Sequence, residues 1–435
     1  MDSSIGKQFY NYLGAYILVA LSGCLGNVVD GIIVGNLINE DGVSAIVLSK
    51  PVVQLIFTLH LLINAGGGML VAYAVGKGDK ALARTYFTRA LGLSVGLGVL
   101  LAVVCGAVLP LQTSRLLCSN ADLLPLARAY IQVLLLGAPV YILMWGLSTM
   151  VGADGEPKLV SIAVIVDNAV NLGMDIVCIK WLGWGIAGSS VATVIGHLVG
   201  IAILLLHWRK TIERRLTLTL RIPEGLTRGG VVSKTLSQGA PLAIASVCLT
   251  LLLYSANKIV LSTLGRAGIF AFALCMNLLQ IYNLFLSGTC QTLQSLGAVQ
   301  VGKGDAAGLR MVIRKGLGFI TVAMIVTCAV VWIWPQGIVR LFGSSNPEFI
   351  SESDRALRIF ALSFIPFCYI YVLMIIYKLK GRHRLSLFIS FALSLTVIPV
   401  LWIVSRTAPN LLWYSYLIAY GIEGLLIAVL HTVKS

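Results

Sequence analysis

Charge is the scarcest commodity in this chain. Of 435 residues only 11% are Asp, Glu, Lys or Arg, while 58% are apolar. A soluble domain carries about 25% charged residues. Too few are present here to cover a water-facing surface, so the principal solvent is lipid. Acids are the rarer sign, 17 against 32 Lys and Arg. The frames of familiar enzymatic chemistry are also missing. The nine cysteines contain no CxxC pair and lie mostly inside apolar runs, so they read as small core residues, not as disulfides or metal ligands. "GWGIAG" (183–188) has GxGxxG spacing but no strand before it, which excludes a dinucleotide fingerprint. "GKGD" lacks the GxxxxGK[ST] frame of a P-loop, so no nucleotide-driven pump is encoded. There is no HExxH and no Ser/His/Asp spacing that points to catalysis; His60 and His197 stand alone in apolar runs and read as packed residues. Neither an enzyme, a metal centre nor a cofactor is expected. The opening "MDSSIGKQFY" has no small-residue cleavage site, so no cleavable signal is expected.

What the chain does have is long uncharged runs. None of the residues between Arg89 and Arg115, or between Arg266 and Lys303, is charged. Runs of roughly 18 or more such residues read as membrane-spanning helices, because lipid offers the backbone no hydrogen-bond partners. They are apolar all round, which argues against a membrane β-barrel. Twelve spans are expected, near 14–36, 46–74, 90–111, 125–151, 159–179, 186–207, 237–263, 268–300, 316–335, 356–379, 385–404 and 411–431. The formal net charge of +15 would favour nucleic acid on a soluble protein. Here the cations sit in short loops and report topology, so no nucleic-acid partner is expected. One alternating set of loops and termini holds 22 Lys and Arg and the other 8, with Lys50 and Lys258 inside spans. The positive-inside bias places the richer set, and both termini, in the cytoplasm of a multi-pass cell-membrane protein.

The chain also repeats itself. "VGKGDKALARTYFTRALG" (75–92) aligns with "VGKGDAAGLRMVIRKGLG" (301–318). At nearly the same offset Gly14-Ala15 matches Gly239-Ala240, Gln54 matches Gln280, Pro110 matches Pro335 and Pro139 matches Pro366. The expected fold is therefore all-α: two pseudo-symmetric six-helix bundles, 1–210 and 237–435, joined by a basic cytoplasmic linker, 211–236. Six spans per half make a parallel repeat, an architecture that encloses a cavity able to open to either side.

Acids at membrane depth are costly, about 2.5–3.5 kcal/mol each on insertion scales, and mark function by default. Four lie inside spans: Asp30, Asp167, Asp175 and Glu423. In "IAVIVDNAVNLGMDIV", Asn168, Asn171 and Asp175 share one helical face. Asp30 and Asp175 both fall in the outer half of their spans. Two carboxylates in one low-dielectric site would hold a proton between them; with amide and hydroxyl oxygens, Thr193 among them, they would equally hold Na⁺. The alternative is that each acid only fixes helix packing, with Lys50 a partner for Asp30; this weighs most for Asp167. On the eighth span Asn277, Gln280, Ser287, Gln291 and Gln294 form a polar stripe that reads as a cavity wall or as interhelical glue. Lys258 reads either as a cavity counter-charge or as a snorkelling side chain. Tyr254, Tyr369 and Tyr371 offer aromatic faces to a cationic ligand. The expected substrate cavity thus comprises Gln54, Lys258, Asn277, Gln280, Gln291, Gln294, Tyr369 and Tyr371.

Taken together, "VDGIIVGNL", "SAIVLSKPV", the glycine-rich second span ending "VGKGD", "GADGEPK", "NAVNLGMD" and "GWGIAGSSVAT" resemble the multidrug and toxin extrusion (MATE) transporters, over nearly the whole chain. The first- and fifth-span acids look like those of the DinF-like branch. The resemblance implies an H⁺- or Na⁺-coupled antiporter that exports amphipathic, often cationic organic compounds by alternating access, acting as a monomer among membrane lipids. It places the ion-coupling site on Asp30, Asn171, Asp175 and Thr193. The acids that some relatives carry in the seventh and tenth spans are replaced here by Asn257-Lys258 and Tyr369-Tyr371. A lipid-linked oligosaccharide flippase of the same broad superfamily is the alternative, and would use Lys258 against phosphate.

Overall fold

The computed structural model describes residues 2–154, 156–214 and 230–433. All the regular structure among them is helical. In chain order the helices are α1 (Asp2–Leu37), α2 (Glu40–His60), α3 (Gly66–Gly76), α4 (Lys80–Leu101), α5 (Pro110–Leu117), α6 (Leu124–Leu136), α7 (Ala138–Ala153) and α8 (Pro157–Ile176). They continue as α9 (Gly185–Arg214), α10 (Val231–Gly302), α11 (Ala306–Ile333), α12 (Pro335–Leu341), α13 (Pro347–Leu379), α14 (His383–Leu395), α15 (Val397–Thr407) and α16 (Ser415–Val433). Wider π-turns extend three of them, at Leu61–Ala65, Ala102–Val108 and Val177–Trp181.

Among the described residues nine helices are long and apolar enough to cross a membrane, or ten if α6 and α7, bent by 51° at Gly137, form one span. Every one of the twelve expected runs falls on helical segments. The counts differ for two reasons. The stretch Leu242–Val301 holds two expected spans and breaks at Gly265, whose φ of 65° and ψ of −150° no helix accommodates. The first expected span lies within α1, of which Val28–Leu37 alone passes as a short apolar helix.

The duplicated motif explains itself in backbone geometry. In both copies a helix ends, glycine turns the chain, and aspartate starts the next helix. Gly78 and Gly304 have φ of 74° and 67°. The Asp79 and Asp305 amides each reach back five residues, to Ala74 O and Gln300 O, at 3.0 Å in both cases. Asp79 then caps α4 by accepting from the Leu82 amide at 3.0 Å; Asp305 caps α11 by accepting from Ala307 and Gly308 at 3.1 and 2.8 Å. A carboxylate there satisfies amides that have no helical partner and meets the positive end of the helix dipole. Asp79→Ala and Asp305→Ala should each lower stability by about 1 kcal/mol, with the larger loss at Asp305, which caps two amides; thermal unfolding of the purified variants checks this. The prolines repeat likewise. Pro110 and Pro335 each begin a short helix after a residue in matching conformation, Leu109 (φ −119°, ψ 38°) and Trp334 (φ −132°, ψ 44°).

Contacts group the chain into two compact units. One comprises Met1–Val47 and Ser255–Ser435, the other Leu48–Tyr254. The boundaries therefore pass inside α2 and α10. The expected lobes 1–210 and 237–435 follow the sequence repeat, whereas contact joins α1 to the elements after Ser255. Of the expected linker, residues 215–229 lie outside those described. In the first unit α1 ends against the turn after α12. A methyl group on Gly35 would sit 2.1 Å from Phe342 O, and Asn36 donates to Leu341 O at 2.7 Å. Asn257 donates to Val47 O at 2.8 Å, and Arg266 pairs with Asp41. In the second unit α10 crosses the π-turn after α2 with backbone against backbone: a methyl on Gly66 would meet Thr235 O at 2.3 Å. Gln54 and Thr58 of α2 both bond Ser246 of α10, at 2.8 and 2.7 Å.

Candidate functional site

A buried polar group lies within the second unit, where α8 packs along α9. Asp167, Asn171 and Asp175 follow one another at steps of four, so they share one face of α8. Their relative exposures are 6%, 8% and 0%. Asn168, which a step of three places on the same face, is only half-buried. The inner line is thus 167, 171 and 175.

Small residues on α9 let the two helices approach closely. A methyl on Gly196 would fall 2.6 Å from Asp167 Oδ1, and one on Gly200 would lie 3.3 Å from Asp167 Cβ. Gly188 meets Cys178 in the same way at 3.0 Å. The polar side chains of α9 then meet those of α8. Asn171 Nδ2 donates to Thr193 Oγ1 at 3.0 Å, and that hydroxyl donates to Ser189 O at 3.1 Å. Two of the four expected ion-coupling residues are therefore bonded to each other, and Asp175 is one turn beyond Asn171. Directly after Asp175 the helix widens into the π-turn Val177–Trp181, a feature that often marks functional sites.

One expectation is corrected here. His197 does not stand alone: its Nδ1 lies 2.9 and 3.0 Å from the two carboxylate oxygens of Asp167. The pair has no signal in sequence, since its members are thirty residues apart on different helices. The imidazole also packs edge-on against Tyr141, with ring centres 4.5 Å apart, and near Trp145 at 6.1 Å. Trp145 in turn contacts Phe57 and His60. His60 is packed as expected, 6% exposed. A second acid–imidazole pair, Asp154 with His207 at 3.0 Å, is buried between the ends of α7 and α9. Its members are 53 residues apart, so this pair too leaves no signal in sequence.

The other expected site residues are distributed as follows. Asp30 is in the first unit, half-buried on α1; a methyl on its neighbour Gly31 would touch Phe342 and the Asn277 amide, at 3.1 and 3.4 Å. Asp30 and Asp175 thus belong to different compact units. On α10, Asn277 donates to Ala273 O at 3.0 Å and Gln291 to Ser287 Oγ at 2.8 Å, while Gln280 and Gln294 are half-buried. On α13, Tyr369 shares a hydrogen bond with Thr321, and Tyr371 packs near Phe367 at 6.1 Å. Lys258 is exposed on α10. Gln54 is in the second unit and holds Ser246. The fourth intramembrane acid, Glu423, is 2% exposed.

A family model described as MatE matches residues 16–177 and 241–403. Multidrug export protein MepA of Staphylococcus haemolyticus (strain JCSC1435) is 21% identical over 406 residues, covering 93% of this chain and 88% of that protein. Probable multidrug resistance protein YoeA of Bacillus subtilis (strain 168) is 23% identical over 445 residues, covering 98% and 93%. Among solved structures, the inward-facing conformation of a multidrug resistance MATE family transporter of the MOP superfamily superposes with a TM-score of 0.84 at 17% identity, covering 96% of this chain and 98% of that one. A MOP superfamily transporter from Pyrococcus furiosus, described as having a binding pocket of reversed polarity that suggests a different function, superposes with a TM-score of 0.73 at 17% identity, covering 99% and 96%.

Proposed function

Because the chain belongs to the MatE family, matched across both of its halves, we propose that it is a cation-coupled antiporter exporting amphipathic, often cationic organic compounds by alternating access. The family and its relatives make it a multi-pass membrane transporter and not an enzyme. Relatives named for multidrug export favour drug-like substrates over a lipid-linked oligosaccharide.

The observation that carries the coupling is the buried acid line of α8. Asp175 has no exposure at all, and Asn171 and Thr193 form a bonded amide–hydroxyl pair one turn away. Keeping a carboxyl at that depth is expensive. Loading and unloading a cation there gives the expense a use. Asp175, Asn171 and Thr193 supply the oxygens for H⁺ or Na⁺, and Asp30 is the coupling acid of the first unit. Asp167, held by His197, is a second protonatable group on the same helix face. In this reading Gln54, Lys258, Asn277, Gln280, Gln291, Gln294, Tyr369 and Tyr371 line the substrate path, and both termini are cytoplasmic.

The test is flux in proteoliposomes. Imposing a gradient of H⁺ or of Na⁺ should drive ethidium against its own gradient, and collapsing that gradient should stop it. Transport under one gradient alone identifies the coupling ion. Ethidium movement indifferent to both gradients would remove the coupling proposal.

A further inference from the structure

A second cavity lies in the same unit, away from the acid line. It has a volume of about 640 Å³ between α4, the start of α10 and the π-turn at Leu62-Ile63. That is within the range of ligand sites, about 300–1,000 Å³. Its wall is almost wholly apolar, with Leu93, Leu97 and Leu100 on α4 facing Val232 and Leu236 on α10. Its floor is open because Gly92 and Gly96 carry no side chain; a methyl on either would meet nothing within 4 Å. One end differs. There Thr88 and Arg89 line the cavity. Neither α4 nor α10 contains a single Asp or Glu, whereas Arg84 on α4 and Lys234 on α10 add positive charge at the same end.

We infer that this groove binds an anionic phospholipid, with an acyl chain along Gly92 and Gly96 and the phosphate at the Arg89 end. The dimensions agree. From Thr88 to Leu100 the groove runs about 18 Å along the helix, close to the ~15 Å hydrocarbon depth of one leaflet. Arg89 sits at the end nearest the basic "VGKGD" turn, where the positive-inside bias places the anionic leaflet. Basic pockets between spanning helices on that side suit phosphate headgroups. The absence of acids on both long walls removes the repulsion that would exclude one. The groove also abuts the glycine contact between α10 and the π-turn, so occupancy should brace that crossing.

The experiment compares delipidated full-length protein with added phosphatidylglycerol or phosphatidylcholine. Native mass spectrometry reads retained lipid, and thermal unfolding reads stabilisation. The wild type should retain one phosphatidylglycerol in preference to phosphatidylcholine and unfold at a higher temperature with it. Arg89→Gln should weaken that preference about fivefold, the contribution of one cation at a lipid surface. Gly96→Leu fills open space, so it should fold normally yet lose retention of both lipids. Glycerol 3-phosphate should not displace the lipid; displacement would make this a small-anion site and overturn the inference. So would wild-type phosphatidylglycerol retention in both variants, or equal retention of the two lipids by the wild type.

Discussion

Asp175→Asn should reduce gradient-driven efflux of ethidium to the background of empty liposomes, while the protein is still made, inserted and folded. Asparagine matches aspartate in shape, so the packing of α8 on α9 survives. It cannot take up or release a proton, and it has no charge with which to hold Na⁺. Asp175 has no exposure in a span where an ionised carboxyl costs about 2.5–3.5 kcal/mol, so the variant should unfold at the wild-type temperature or above it. A functional group kept at the expense of stability gives this combination; a structural one does not. Asp30→Asn should have the same effect on flux. Asn171→Ala and Thr193→Ala should weaken coupling less, since each removes one neutral oxygen. Measuring flux and unfolding on the same preparations separates the two readings. Wild-type efflux in the Asp175 variant would end the assignment of coupling to the α8 line.

The second large effect is on stability. Gly239→Val should destabilise the protein by about 2–3 kcal/mol, the upper part of the range for overpacked contacts. A methyl at Gly239 alone would lie 2.0 Å from Leu62 O and 2.6 Å from its carbonyl carbon. These are backbone atoms, so they cannot turn aside as a side chain does, and α10 would have to lift from the π-turn. Gly66 faces the same crossing from the other helix, and Gly66→Val should act alike. Gly318→Ala is the control: a methyl there meets nothing within 4 Å, and it should be silent or slightly stabilising through helix propensity. Thermal unfolding in detergent measures all three. A Gly239 variant that melts with the wild type would mean that the helices do not touch at this crossing.

Gly239 also shows where reading a sequence stops. It aligns with Gly14 in the repeat, yet a methyl on Gly14 would meet nothing within 4 Å. One glycine is a close contact and its repeat mate is not, and the alignment treats them alike. The same division runs through the site. The acids were legible because charge inside an apolar run is conspicuous. Asn171 was legible from its helical spacing to Asp175 and Thr193 as a hydroxyl near the acids, the resemblance grouped them, and they are bonded. His197 reads as a packed residue and does pack against Tyr141, but its pairing with Asp167 was not legible, because a histidine's partner on another helix leaves no mark in the sequence. Gln54 reads as polar lining, and that its amide also holds Ser246 was not legible. Asn168 and Asp167 exchanged places by one residue, since a step of three and a step of four both suit a helical face until a partner helix selects between them.

The sequence by itself determined what is local or compositional. Scarce charge set the solvent, uncharged runs set the helices, and the repeated "VGKGD" set two similar turns, because glycine at positive φ and an aspartate cap act within five residues. Tertiary structure alone decided which helices lie side by side. It joined α1 to the elements after Ser255, brought His197 to Asp167, and opened the groove at Gly92 and Gly96. Those outcomes depend on how surfaces from distant parts of the chain fit together, and a linear string records each surface without recording its partner.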